Sequence, residues 1–174
     1  MEEKIDVYDA FGNKTGRIIS SRFELEDDEY FFGVHAWIIN SKGQVLIQKR
    51  AETKKVMPGM WSINGGGALS GEASIDACVR EVKEEIGVDI DKKNAFLMTE
   101  KGGPDEWKCW LDVYFIRQDI DIKDVKVDKT EVADAKWVET EDILEMMDKG
   151  EFFAVDIVRN AFTELLKYMG KIHE

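Results

Sequence analysis

Between residues 72 and 85 the chain places Glu72, Arg80, Glu81, Glu84 and Glu85, the last four close enough to share one helix. At about 100° per residue, Glu81, Glu84 and Glu85 fall within one sector of the helix surface. Ile75, Val79, Val82 and Ile86 form an apolar stripe on the adjacent sector, so burying the stripe leaves the carboxylates at the rim of the core. Three carboxylates that close repel one another unless a cation sits among them. Hard divalent cations such as Mg²⁺ or Mn²⁺ are bound by carboxylate and carbonyl oxygens plus water. The glycine-rich turn Gly65-Gly66-Gly67 precedes the helix, where main-chain groups can approach the same ion unobstructed by side chains. The same glutamates would also make an ordinary solvated helix face, with Arg80 and Glu84 as a helical ion pair. The glycine-rich turn and Glu72 shift the balance towards a site.

The elements that must position these residues are legible in outline. A strand from Ile5 to Asp9, a Gly/Asn turn and a return over Arg17–Ile19 open the chain. A second hairpin pairs Val34–Ile39 with Val45–Arg50 through the turn Asn40-Ser41-Lys42-Gly43. Pro58-Gly59 marks a loop before Trp61-Ser62-Ile63. The glutamate helix is expected over Ala73–Ile86, with Gly87 at its end. Strand-like segments follow at Ala95–Met98, Trp110–Ile116 and Ala135–Val138. Thr140 is expected to cap a helix over Glu141–Met147, and a last amphipathic helix covers Val155–Met169, with Ile157, Val158, Phe162, Leu165 and Leu166 inward. Strands and helices do not follow a regular β-α-β rhythm, so the expected class is α/β with a mixed sheet covered by helices. No linker, repeat or low-complexity tract interrupts it, and residues 1–174 read as a single domain.

Composition narrows the partners. Asp plus Glu number 36 against 24 Lys plus Arg, a formal net charge of -12. Nucleic-acid polymers are bound by basic surfaces, so they are not expected here. A hydrophobic fraction of 44% with nine Phe, four Tyr and five Trp argues for a packed core rather than disorder. No apolar run approaches the roughly 20 residues of a membrane span. The start Met1-Glu2-Glu3-Lys4 lacks a signal-like apolar stretch, and Cys78 and Cys109 make neither a disulfide framework nor a zinc site alone. The expectation is a cytoplasmic protein with no membrane partner.

From Gly66 to Val88 the chain reads Gly, five residues, Glu72, seven residues, Arg80-Glu81-Val82, one residue, Glu84-Glu85, one residue, Gly87-Val88. This resembles the Nudix box at every fixed position. The resemblance implies a Nudix-type α/β/α sandwich with a mixed β-sheet. It also implies hydrolysis of a diphosphate bond in a small nucleoside-diphosphate-type compound, with Mg²⁺ or Mn²⁺. Carried onto these positions, Glu81, Glu84 and Glu85 would hold metal, one of them activating water. Arg80 would orient the glutamates, Glu72 would be partly structural and reach metal through water, and the Gly65 or Gly66 carbonyl would complete the shell. Gly66 and Gly67 would lie against the substrate. Glu131, before Val132, is the candidate for a further catalytic glutamate from a loop, with an exposed loop acid the equal alternative.

The stretches Trp37–Gly43, Gln48-Lys49-Arg50 and Lys54–Trp61 are similar to isopentenyl-diphosphate isomerases and their Nudix relatives. That branch implies Arg50 and Lys54 as diphosphate ligands; solubility and strand-edge protection would use the same residues. The isomerases place a catalytic Cys and a metal-binding His in the turn where this chain has Gly65 and Gly67, and neither Cys78, Cys109, His35 nor His173 stands in for them. His35 reads as a structural or pocket-lining residue. Trp107 and Trp110, beside Lys101-Gly102-Gly103-Pro104, read as cleft or dimer-interface aromatics, so a homodimer stays open. Hydrolysis is the leading reading. Isomerase-like activity and a non-catalytic nucleotide-binding module are its alternatives.

Overall fold

The computed structural model describes residues 3–103 and 107–171; Pro104 and His173 lie outside them. Among the described residues there are nine strands and three α-helices. The first hairpin is β1 (Ile5–Tyr8) and β2 (Lys14–Ile19), a separate two-stranded sheet. The main sheet has β3 (Phe31–Ile39) at its centre. One side of β3 carries β4 (Val45–Arg50) and β6 (Asn64–Gly67), both antiparallel to it, and β4 continues to β5 (Trp61–Ser62) and β9 (Val132–Val138). On the other side β8 (Cys109–Arg117) runs parallel to β3 from Phe31↔Cys109 to Ile39↔Arg117, and β7 (Ala95–Gly102) runs antiparallel to β8. The sheet is therefore mixed, as its irregular element order requires.

Alternation along β3 builds the sandwich. Phe32, Val34, Ala36 and Ile38 face α1 (Ser74–Ile86), packing on Ala77, Cys78, Val82 and Ile86. Phe31, Trp37 and Ile39 face α2 (Thr140–Asp148) and α3 (Asp156–Tyr168). Both faces of β3 and β8 are covered, which is why these strands read as near-continuous apolar runs. Trp37 and Phe162 pack their rings at a tilt, centres 5.8 Å apart, across the α3 interface. No helix among the described residues is long and apolar enough to cross a membrane.

Several elements differ from their sequence outlines for physical reasons. Gly65–Gly67 is not a turn but strand β6, made by its ladder to β3 rather than by side-chain propensity. The turn proper follows it, at residues 68–73. Thr140 is the first helical residue of α2, not its cap; Glu139 takes the cap position without a side-chain bond, while the Thr140 hydroxyl donates to Glu141 and accepts from Lys171. Trp110 is not exposed. It is buried on the α1 face beside Tyr30, and its indole N–H donates to the Asp9 carbonyl at 2.9 Å. Ile157 packs only partly on the core, while Ala161 takes a buried place on α3.

The first hairpin ties down the loop that enters α1. Asp6 accepts hydrogen bonds from the Ser70 hydroxyl (2.6 Å) and the Gly71 N–H (3.1 Å) and pairs with Lys14 (2.6 Å). The Ser70 N–H donates to the Lys4 carbonyl at 2.7 Å. Truncation in Asp6→Ala removes the acceptor of the partly buried Ser70 hydroxyl and of the exposed Gly71 N–H. Urea unfolding should then show a loss of about 1–3 kcal/mol; an unchanged midpoint would show that the hairpin does not brace the loop.

Candidate functional site

Helix α1 starts at Ser74 and ends at Gly87, whose φ of 72° closes the last turn. It crosses β6 at very short range. The Gly66 position faces Glu81, and a Cβ built there would fall on the Glu81 carboxyl group. Gly65 has φ 153°, and a Cβ there would fall on the Val34 carbonyl oxygen of β3. Glycine at these two positions is what lets a carboxylate-bearing helix lie against a strand.

The sequence outline put all three glutamates at the rim. The structure distributes them. Glu84 is at the surface, its side chain 54% exposed. Glu81 is largely covered, with its side chain 16% exposed. Glu85 lies inside, only 6% exposed. Its carboxylate accepts from the Gly65 N–H at 3.0 Å and from the Gln48 side-chain amide at 3.2 Å. Gln48 on β4 and Asn64 on β6 are themselves buried, and among the described residues neither the Gln48 Oε1 nor either Asn64 side-chain polar atom has a partner.

Arg80 gathers the other acids. Its Nε and Nη2 donate to the two oxygens of Glu72 (2.9 and 3.0 Å), and its Nη1 donates to Glu81 (2.8 Å) and Glu84 (2.9 Å). Nη2 also donates to the Gly67 carbonyl at 2.8 Å, tying α1 to β6. Fork-shaped, always-charged guanidinium is suited to this bidentate grip. Burial alone would raise the Glu72 carboxyl, but the Arg80 bonds and the Leu69 N–H together hold it below the usual carboxylate range. Glu81 is different. Burial pushes it up to about 7, Arg80 offsetting only part and Glu84 adding repulsion. Burial, with the charge of Glu81, also holds Glu85 well above the usual range.

Among the described residues no cluster of three or more His, Cys, Asp or Glu side chains is arranged around a metal position; Glu81 and Glu84 turn to Arg80. Two observations nevertheless fit the donor set to a hard divalent cation. The Gly66 surface is shaped around the Glu81 carboxyl, and two desolvated carboxylates, Glu81 and Glu85, lie close together with Arg80 contacting only one of them.

These carboxylates border a cleft of about 870 Å³ that brings most of the sequence candidates together: Gly65, Gly66, Gly67, Glu81, Glu84, Glu85, Arg50, Lys54 and Glu131. Arg80 and Glu72 stand behind its wall. The guanidinium Nε of Arg50 donates to the Val56 carbonyl at 2.8 Å. Lys54 and Glu131 form an ion pair with each other, so the loop acid is neither solitary nor simply exposed. His35 lines the cleft; its Nδ1 is buried without a partner among the described residues, and burial holds the imidazole down to about 4, neutral at ordinary pH. Trp107 lines the same cleft edge-on to Phe153, ring centres 5.8 Å apart. Cys78 is in the α1 core, its thiol pushed up to about 12, and Cys109 is buried in the cleft lining, its Sγ donating to the Trp110 carbonyl at 3.3 Å. Sequence reasoning missed Gln48 as a partner of Glu85, and it missed Arg22 and Phe23, which also line the cleft. Ser20-Ser21-Arg22-Phe23 carries no recognisable signature; only the fold brings it to β4.

The two glycines give opposite expectations. In Gly65→Ala the clash is with backbone and the φ is strained, so the protein should fold poorly, seen as a large fall in Tm. In Gly66→Ala the clash is with the movable end of Glu81. The protein should fold with a Tm within a few degrees of wild type but lose activity, because the carboxyl is displaced; equal Tm losses would contradict this. A second expectation concerns pH. Glu81 has a folded pKa of about 7, above its ordinary 4.5. Its stabilising contribution is therefore complete below about pH 4.5 and lost as pH rises through 7. Metal-free Glu81→Gln should melt several degrees above metal-free wild type at pH 8, and the gap should shrink at pH 5. A gap independent of pH would show that Glu81 ionises without penalty.

A NUDIX domain model matches residues 29–160. An uncharacterized Nudix hydrolase of Listeria monocytogenes is 34% identical, covering 98% of this chain and 99% of that protein. An isopentenyl-diphosphate Delta-isomerase of Escherichia coli is 28% identical over 84% of this chain and 82% of its own. The crystal structure of DR0079 from Deinococcus radiodurans superposes with a TM-score of 0.76 at 24% identity, covering 91% of this chain and 97% of that one. The sandwich and its mixed sheet are thus the fold of that relative, and the sequence match spans both core faces and α1. The chain belongs to the Nudix family of hydrolases.

Proposed function

We propose that this chain hydrolyses a diphosphate bond in a small nucleoside-diphosphate-type compound, with Mg²⁺ or Mn²⁺ held by Glu81, Glu84 and Glu85. Glu72, through water, and the Gly65 carbonyl are the proposed additional donors. The observation that carries this reading is the pair Glu81 and Glu85, desolvated at the edge of a cleft large enough for a small diphosphate compound. Carboxylates held in that state are costly unless a cation joins them. A divalent cation bound there supplies charge neutralisation and an activated water.

The chain's own groups then divide the work. Arg80 fixes Glu72, Glu81 and Glu84 in one arrangement and locks α1 to β6 through the Gly67 carbonyl. The Gly65 N–H and Gln48 orient Glu85. Gly66 and Gly67 keep the floor of the cleft open to the substrate. Arg50 and Lys54 present cations to the diphosphate, Lys54 leaving Glu131 as it does so; Glu131 is then free to accept a proton from the attacking water. Isomerisation lacks its residues here, because Gly65 and Gly67 stand where the isomerase Cys and His would be.

The test is a phosphate-release screen over nucleoside-diphosphate compounds with Mg²⁺ and Mn²⁺. At least one compound should turn over, EDTA should stop it, and added metal should restore it. Glu84→Gln should keep its Tm and lose about a hundredfold or more in kcat, since metal stabilisation of the transition state is several kcal/mol. Binding without turnover across the panel would favour a non-catalytic module, and proton exchange into isopentenyl diphosphate would favour the isomerase.

A further inference from the structure

We propose that Arg22, with Arg50 and Lys55, forms a second anion site in the cleft, one that grips a terminal phosphate group of the substrate. This rests on the reading of the cleft as a diphosphate site and adds what its far end takes.

Arg22 opens a short 3-10 turn, Arg22–Glu24, just after β2, and the Ser21 hydroxyl oxygen fixes that turn by accepting from the Phe23 N–H at 3.3 Å. The guanidinium lies 5.4 Å from the Phe23 ring centre and 5.9 Å from that of Phe31. Lys55 approaches the same Phe23 ring at 5.3 Å. Phe23 itself is 64% exposed, so it is not held there by burial in the core. Rings in this position hold cations in place without neutralising them.

Arg22, Arg50 and Lys55 all line the cleft, and among the described residues none of the three makes an ion pair. Nearby, Lys54 does have its acid, Glu131. Arg22 and Arg50 are close enough that, after burial, the Arg50 charge is what most disfavours the charged form of Arg22. Arg50 in turn is close enough to stabilise the charge of Glu85. Glu85, Arg50 and Arg22 thus share the lining of one cleft. Two guanidiniums kept together without a carboxylate are stabilised by a multiply charged anion, and the bidentate fork of arginine matches phosphate oxygens. A substrate whose diphosphate reaches the glutamates at one end and ends in a free phosphate at the other satisfies both. A compound esterified at both ends leaves the two arginines unneutralised.

The test is binding of inorganic pyrophosphate to the full-length, metal-free protein in EDTA at low salt, by calorimetry, with circular dichroism confirming the fold. Wild type should bind, and Arg22→Gln and Lys55→Gln should each weaken binding by about tenfold. Lys42→Gln removes the same charge from an exposed turn outside the cleft and should bind like wild type. In steady-state assays Arg22→Gln should raise KM far more for a compound ending in a free phosphate than for one esterified at both ends. No binding by wild type, or equal binding by Arg22→Gln and Lys42→Gln, would overturn the site. Because the calorimetric arm needs neither metal nor turnover, its outcome is separate from that of the hydrolysis screen.

Discussion

The structure hinges on the desolvation of Glu81 and Glu85 between α1 and the glycine strand β6. An α-helix carrying two carboxylates would not ordinarily settle against a sheet at such short range. Three circumstances allow it here. Gly65 and Gly66 present no side chain to the helix, Arg80 neutralises three of the four neighbouring acids, and Gln48 with the Gly65 N–H partner the deepest carboxylate. Remove any one and the helix must lift or a carboxyl must take up a proton. The rest follows from holding this contact: β6 pairs with the central strand β3, and the first hairpin secures the loop between β6 and α1 through Asp6.

Arg80 occupies the most constrained position in that arrangement. It meets Glu72, Glu81, Glu84 and the Gly67 carbonyl at once, so its geometry fixes the loop, the helix and the strand relative to one another. Because one guanidinium serves three acids, it cannot fully offset the burial of Glu81, which stays near neutrality in its proton affinity. Incomplete compensation of this kind fits the proposed cation site, where a further positive charge would complete what Arg80 leaves undone.

How much of this could be read from the sequence depended on range. The glutamates, Arg80 and Gly87 are local, and the helical period sets their relations, so they were legible. Burial depth was not. The period places Glu85 beside the apolar stripe, but only the closeness of β6 carries it inside. The strand β6 was misread as a turn because glycines carry no side-chain pattern and the strand exists through its partner β3. The sequence reads Trp110 as a cleft or interface aromatic because its burial depends on Asp9, 101 residues earlier, and on Tyr30, which no local pattern links to it. The pairing of Lys54 with Glu131 joins a loop after β4 to the residue before β9, and no spacing rule links them.

The same distinction between local pattern and assembled geometry explains how so acidic a chain can face an anionic substrate. Net charge sets the distant field, which at -12 repels phosphate, and salt screens that field within about 10 Å. Inside the cleft the nearest charges decide. Glu81 and Glu84 are drawn onto Arg80, Glu131 onto Lys54, and Glu85 is held towards its protonated state by burial, whereas Arg22, Arg50 and Lys55 pair with no carboxylate among the described residues. Long-range repulsion lowers the rate at which an anion arrives, but it acts on every anion alike. On the proposed reading, selection among anions falls to the cleft, where the carboxylates and the arginines without an acid partner would sense how far along the substrate its charge extends.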